Sequence, residues 1–139
     1  MIIPKEMIRV IECLTQNLFI SPPSLSQVAA TIVFDCLDEL DENVARYRTN
    51  RELLLEGLPK AGLSEFAPAD GAFYLYANVE HLTKDSSEFC QLMLSETRVA
   101  ATPGIDFDSA RGGAYVRFCF AGTTADVSEA IRRLQHWLG

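Results

Sequence analysis

Positive charge is scarce in this 139-residue chain. Twelve lysines and arginines stand against nineteen aspartates and glutamates, a formal net charge of −7, and no basic patch is present, which excludes a surface built to track nucleic-acid phosphates. Long apolar runs are missing too. None approaches the ~20 residues a membrane helix needs, and the opening Met1-Ile2-Ile3-Pro4-Lys5-Glu6 has neither the basic leader nor the long apolar core of a signal peptide. A cytoplasmic protein with no nucleic-acid and no membrane partner is expected. Histidine occurs only as His81 and His136, without a companion at ligand spacing, and both are expected at the surface. The four cysteines, Cys13, Cys36, Cys90 and Cys119, show no Cys-x-x-Cys spacing, so reduced, buried thiols are the expectation. Asp35, Asp38, Glu39, Asp41 and Glu42 lack the Gly-hinged loop of a hard-metal site and read as a solvated helix face. Gly112-Gly113 and Pro103-Gly104 match no phosphate-cradling fingerprint.

What the chain does have is apolar content, 48% of its residues, enough for a compact domain with a sizeable core. Pro4 suits a first helical position, and Met7, Ile11, Leu14 and Leu18 follow at helical spacing. Ser21-Pro22-Pro23 ends that helix, and Ser24-Leu25-Ser26-Gln27 is a capping-box pattern. A long helix is predicted next, with Val33, Leu37, Leu40, Val44, Tyr47, Leu54 and Leu58 on one face, a bend near Asp41 and an exit at Gly57, Pro59 and Gly62. About thirty residues at ~1.5 Å rise reach ~45 Å, longer than a small domain is wide. The pattern then changes to strands. Ala72 to Val79 alternates behind an Asp70-Gly71 turn and is predicted to be a central strand. Asp85-Ser86-Ser87-Glu88 caps a short helix carrying Phe89, Leu92 and Met93, and Val99 to Thr102 forms a short strand closed by Pro103-Gly104. Thr123 or Thr124 caps a last helix with Val127, Ile131, Leu134 and Leu138 in a stripe. The fold class is α+β: a small mixed or antiparallel sheet covered by helices, preceded by a long helix of the interdomain type.

Between those last two elements, Ala114-Tyr115-Val116-Arg117-Phe118-Cys119-Phe120-Ala121 puts one guanidinium inside an apolar, strand-forming run. A period of two sends Val116, Phe118 and Phe120 to the core and Tyr115, Arg117 and Cys119 to the opposite face. A cation there needs an anion, and the planar fork of arginine can hold a carboxylate through two parallel hydrogen bonds. The alternative is a structural pair with a nearby Asp or Glu at the sheet edge.

The order of these blocks, a Pro-Lys-Glu helix start, Ser21 to Gln27, a helix containing Arg46-Tyr47-Arg48-Thr49-Asn50-Arg51, Asp70-Gly71-Ala72-Phe73-Tyr74-Leu75-Tyr76, Val99-Ala100-Ala101-Thr102-Pro103-Gly104, then the Arg117 strand, resembles the C-terminal portion of class I/II aminotransferases, fold-type-I enzymes that use pyridoxal phosphate. The resemblance implies that Arg117 grips the α-carboxylate of an amino-acid or 2-oxo-acid substrate. It places Gly71 and Phe73 near the substrate mouth and Phe19 and Ser21 towards the cofactor, although packing and turn formation account for those four equally well. It implies a large cofactor domain, of which residues 1–23 are a remnant, and a small domain over residues 24–139 that includes the long helix. Asp70-Gly71-Ala72 departs from the family's more usual double glycine. The family's cofactor-bonding lysine sits among small Ser/Thr-rich residues, and Lys5, Lys60 and Lys84 have no such setting. The expectation is that this chain starts beyond that lysine, lacks the N-terminal cofactor domain, binds no pyridoxal phosphate alone, performs no transamination alone, and forms a homodimer. A non-enzymatic α+β module, binding an amino acid or serving oligomerisation, is the alternative.

Overall fold

The computed structural model describes residues 3–139; Met1 and Ile2, the first residues of the expected leaderless start, lie outside the described residues. Two compact units are present, Met1–Leu40 and Asp41–Gly139. In the first, a 3-10 turn at Lys5–Met7 leads into α1 (Ile8–Leu18), and α2 (Ser24–Ala30) is followed by a 3-10 turn at Val33–Asp35. None of its described residues is buried.

The long helix expected after Pro23 is divided. Its break falls at residues 31–36 rather than near Asp41, and α3 runs only over Leu37–Gly57. Thr31, Ile32 and Val33 are consecutive β-branched residues, whose stiff side chains crowd a helix. The Thr31 hydroxyl donates to the Val28 carbonyl at 2.7 Å and the Ile32 amide to that of Ala29 at 3.2 Å, tightening the end of α2. The capping box also fails to form. Pro23 occupies the N-cap without a side-chain bond, so Ser24 is already helical, and the Gln27 side-chain Nε2 donates back to the Pro22 carbonyl at 2.8 Å.

The second unit holds the sheet and core. β1 (Tyr74–Asn78), β2 (Thr102–Pro103) and β3 (Tyr115–Cys119) form an antiparallel sheet in the order β1-β3-β2. The centre is therefore β3, and β1, expected there, lies at the edge. Segment 65–67 partly covers that edge, with the Ala67 amide donating to Tyr76 and the Asn78 amide to Glu65. The strand expected over residues 99–102 shrinks to Thr102–Pro103, since Val99 is buried in the core instead of pairing. α4 (Ser86–Thr97) starts at Asp85, whose carboxylate accepts from the Ser87 and Glu88 amides, and α5 (Thr124–Leu138) starts at Thr123, whose hydroxyl accepts from the Asp126 amide. Both caps fall where the sequence places them.

One core joins one sheet face to the helices: Leu75, Ala77, Val116 and Phe118 from strands, Leu54 from α3, Met93 from α4, and Val127, Ile131 and Leu134 from α5. Gly57 lets α3 and α5 meet, because a Cβ there would lie 2.5 Å from the Ile131 Cγ2. Of the cysteines only Cys90 is buried; Cys13 and Cys119 are exposed and Cys36 is half-buried, all four being free. Cys119 is exposed because it shares the strand face of Arg117 rather than that of Phe118. No helix of the described residues is long and apolar enough to cross a membrane.

Candidate functional site

Alternation along β3 buries Val116, Phe118 and Phe120 and leaves Tyr115 and Arg117 half-covered on the opposite face. Sheet register then chooses the neighbours of Arg117: Tyr76 stands opposite it on β1 and Thr102 on β2. Arg117 Nη2 donates to the Thr102 hydroxyl at 3.2 Å. The guanidinium carbon lies 5.2 Å from the ring centroid of Tyr74 and 4.6 Å from that of Phe107, within cation–π range of both. Arg117 Nε is buried without a hydrogen-bond partner. Among the described residues Arg117 belongs to no ion pair; the structural pair at the sheet edge does not form.

The guanidinium opens on a cleft of about 530 Å³ whose walls include Ala67, Pro68, Gly71, Tyr76, Phe107 and Asp108. The loop carrying Phe107 is tightly tied. The Phe107 and Asp108 amides donate to the Gly104 carbonyl at 2.9 and 3.0 Å, and the Gly112 amide to the Asp108 carbonyl at 2.8 Å. Asp108 Oδ1 accepts from the Ala110 and Arg111 amides, and these bonds hold its carboxyl below the ordinary value and therefore ionised. Tyr76 stacks on Tyr115 at 4.9 Å and donates to the Gly104 carbonyl at 3.4 Å. Burial, then the charge of Asp108, pushes its phenol above the ordinary value, so it stays a neutral donor. Near Gly71 in the chain, Ala69 is held by α3: Arg51 Nε donates to its carbonyl at 2.8 Å.

Of the residues singled out from the sequence, Arg117 and Gly71 line this one cleft. Phe73 is exposed and packs edge-on against Tyr74 at 5.9 Å, its carbonyl accepting from the Phe120 amide. Phe19 ends α1, exposed, and its carbonyl accepts from the Ser21 amide at 2.7 Å; both belong to the first unit. Sequence reasoning missed Tyr74, Thr102 and Phe107. The alternation of β1 carried a signal for Tyr74, which shares a strand face with Tyr76, but nothing in the sequence joins Thr102 or Phe107 to position 117.

The Arg117 strand, the last of the blocks whose order carried the sequence resemblance, thus forms the centre of the sheet and leaves its arginine without an ion pair among the described residues. The family description "Aminotransferase class I and II" matches residues 2–134. This chain belongs to the class I and II aminotransferases. Within the family it is 49% identical over 140 residues to a valine–pyruvate aminotransferase of Mycobacterium tuberculosis, covering 99% of this chain and 36% of that protein. It is 35% identical to a (5-formylfuran-3-yl)methyl phosphate transaminase of Methanocaldococcus jannaschii, covering 96% and 35%. Among solved structures it superposes on an aminotransferase of Mycobacterium tuberculosis with a TM-score of 0.85 at 50% identity, covering 98% of this chain and 36% of that one. A structure from Silicibacter pomeroyi, described as that of an aminotransferase, gives 0.85 at 47% identity, covering 99% and 37%. The chain thus spans little more than a third of the length of these aminotransferases.

Proposed function

We propose that this chain is the C-terminal, substrate-carboxylate-binding part of a pyridoxal-phosphate-dependent aminotransferase that moves an amino group between an amino acid and a 2-oxo acid. The observation that carries the reading is the state of Arg117: no acidic partner among the described residues, two aromatic rings within cation–π range of its guanidinium, and a place in the lining of a cleft. With Nε buried, a carboxylate in the cleft has the Nη1–Nη2 edge left to meet, where two parallel charge-assisted hydrogen bonds form. Anchoring the carboxylate fixes rotation about the substrate Cα, which sets the direction of the bond that must break.

Pyridoxal phosphate, bound in the complete protein, supplies the electron sink for the carbanion at Cα. The lysines present here do not fit as its covalent partner. Lys5 and Lys60 are exposed, Lys84 is exposed and paired with Glu80 at 2.6 Å, and none lines the Arg117 cleft. On this reading the cofactor is held by an N-terminal domain outside this chain, and the isolated chain neither binds it nor transaminates. Residues 1–23 then belong with the cofactor domain, Phe19 and Ser21 facing it, and residues 24–139 form the small domain, with Gly71 and Phe73 at the substrate mouth. The exposed apolar side chains of the first unit, among them Leu18 at 75% and Phe34 at 81% exposure, support a homodimer or a further domain that covers them.

The test is a titration of the chain with pyruvate and with L-valine, followed by NMR or calorimetry. Arg117→Ala is expected to weaken binding by about tenfold or more, and Arg117→Lys, which keeps the charge but not the fork, to restore little of it. Identical curves for wild type and Arg117→Ala would sink the carboxylate clamp. The reading frame upstream of Met1 gives a second check: an in-frame segment with a lysine among small residues supports the enzyme, and its absence supports a stand-alone binding module.

A further inference from the structure

The Arg117 side chain is not held by the contacts that usually hold an arginine. It has no carboxylate among the described residues, its Nε has no acceptor, and its one hydrogen bond, to Thr102, is 3.2 Å long. Two aromatic rings remain. Tyr74 is fixed by strand pairing, since it stands opposite Cys119 on β3. Phe107 is on a loop, and that loop is built with unusual closeness: a Cβ on Gly104 would lie 2.6 Å from the Gly112 carbonyl oxygen and 2.6 Å from the Tyr115 carbonyl oxygen. Its purpose is not to bury Phe107, which stays 54% exposed and outside the core cluster. The ring stands 4.6 Å from the Arg117 guanidinium carbon, within cation–π range.

We propose that Phe107 is a positioning residue: its ring, working against Tyr74, clamps the guanidinium of Arg117 so that the Nη edge faces the cleft before a substrate arrives. A free arginine side chain loses rotamer freedom when it binds a carboxylate; here the folded chain has already removed that freedom, and less is lost on binding. Cation–π attraction suits the task because it restrains the cation without using the donors that the carboxylate needs. The consequence for affinity rests on the carboxylate role proposed for Arg117; the clamp itself does not.

The experiment uses the isotope-labelled chain, with wild type, Phe107→Leu, Phe107→Tyr and Arg117→Ala compared. The readouts are nitrogen relaxation of the Arg117 Nε–Hε group and pyruvate affinity by chemical-shift titration. The Arg117 side chain is expected to be rigid in wild type, mobile in Phe107→Leu and rigid again in Phe107→Tyr. Pyruvate affinity is expected to fall by about three- to tenfold in Phe107→Leu and to return in Phe107→Tyr. Phe107 is half exposed and outside the core, so backbone amide spectra beyond residues 104–112 and the cleft-lining strands are expected to stay unchanged. The clamp is overturned if Arg117 is as rigid in Phe107→Leu as in wild type, if it is already mobile in wild type, or if the tyrosine fails to restore it. Should pyruvate leave wild type and Arg117→Ala equally unperturbed, the carboxylate role falls, and the relaxation data still decide the clamp.

Discussion

Asn50 is completely buried in α3, and its side-chain amide donates to the carbonyls of Phe120 and Gly122, each at 3.0 Å, tying the helix to the chain just past β3. Nothing in the run Arg46 to Arg51 marks Asn50 apart from its neighbours, because its partners are some seventy residues away. Replacing it with alanine removes both bonds and strands two carbonyls, so Asn50→Ala is expected to cost about 2–3 kcal/mol in denaturant unfolding; a loss within about 0.5 kcal/mol would show that water takes its place. Ala72 has φ of 59°, the left-handed region, at the place where the family's double glycine would supply freedom. Ala72→Gly is expected to stabilise by about 0.5–1 kcal/mol, strain relief exceeding the added freedom of the unfolded chain, and an unchanged or lower Tm would contradict it. The thiols separate by environment. Burial pushes Cys90 up to about 11, while Cys13 and Cys119 are exposed. A thiol reagent at neutral pH is expected to label the exposed pair and spare Cys90 until the chain unfolds; prompt native labelling of Cys90 would contradict its burial.

At the scale of elements, local signals worked where an element is specified by its own residues. The Asp85 and Thr123 caps, the core stripe of α5 and the two-faced β3 all form where the sequence puts them. Expectations failed where the outcome depends on competition. The Thr31-Ile32-Val33 run broke a stripe that periodicity alone would continue, and β1 became an edge strand because β3 pairs on both sides. α5 also carries a pH dependence. Hydrogen bonds from Arg132 and Arg133 hold the Glu129 carboxyl at about 2, below the ordinary 4.5. A depressed carboxylate stabilises the fold above its unfolded value, so this contribution is complete above about 4.5 and disappears as pH falls towards about 2. Glu129 is only half-covered, its side chain open to solvent that screens the pair, and the effect on stability is correspondingly small. Carbon NMR is expected to place its midpoint well below those of solvated glutamates and to show it rising in Arg133→Ala; a midpoint indifferent to that substitution would mean Arg132 acts alone.

For the whole molecule, the contrast between the two compact units matters most. Residues 41–139 enclose a core that reaches from Leu54 to Leu134, whereas no described residue of 3–40 is buried. Self-association is expected, and light scattering that shows a clean monomer at high concentration would count against it. The α+β class, the Asp85 and Thr123 caps, the two-faced strand and the family resemblance were legible in the sequence, because period, cap chemistry and turn residues act over a few positions; the Ser24 capping box was not, because Pro23 takes the N-cap. The tertiary structure decided what surrounds Arg117. Tyr74, Thr102 and Phe107 come from an edge strand, a two-residue strand and a glycine-closed loop, and they meet Arg117 only through strand register and backbone packing. Alternation says which face a side chain takes; register between distant segments says what it meets there.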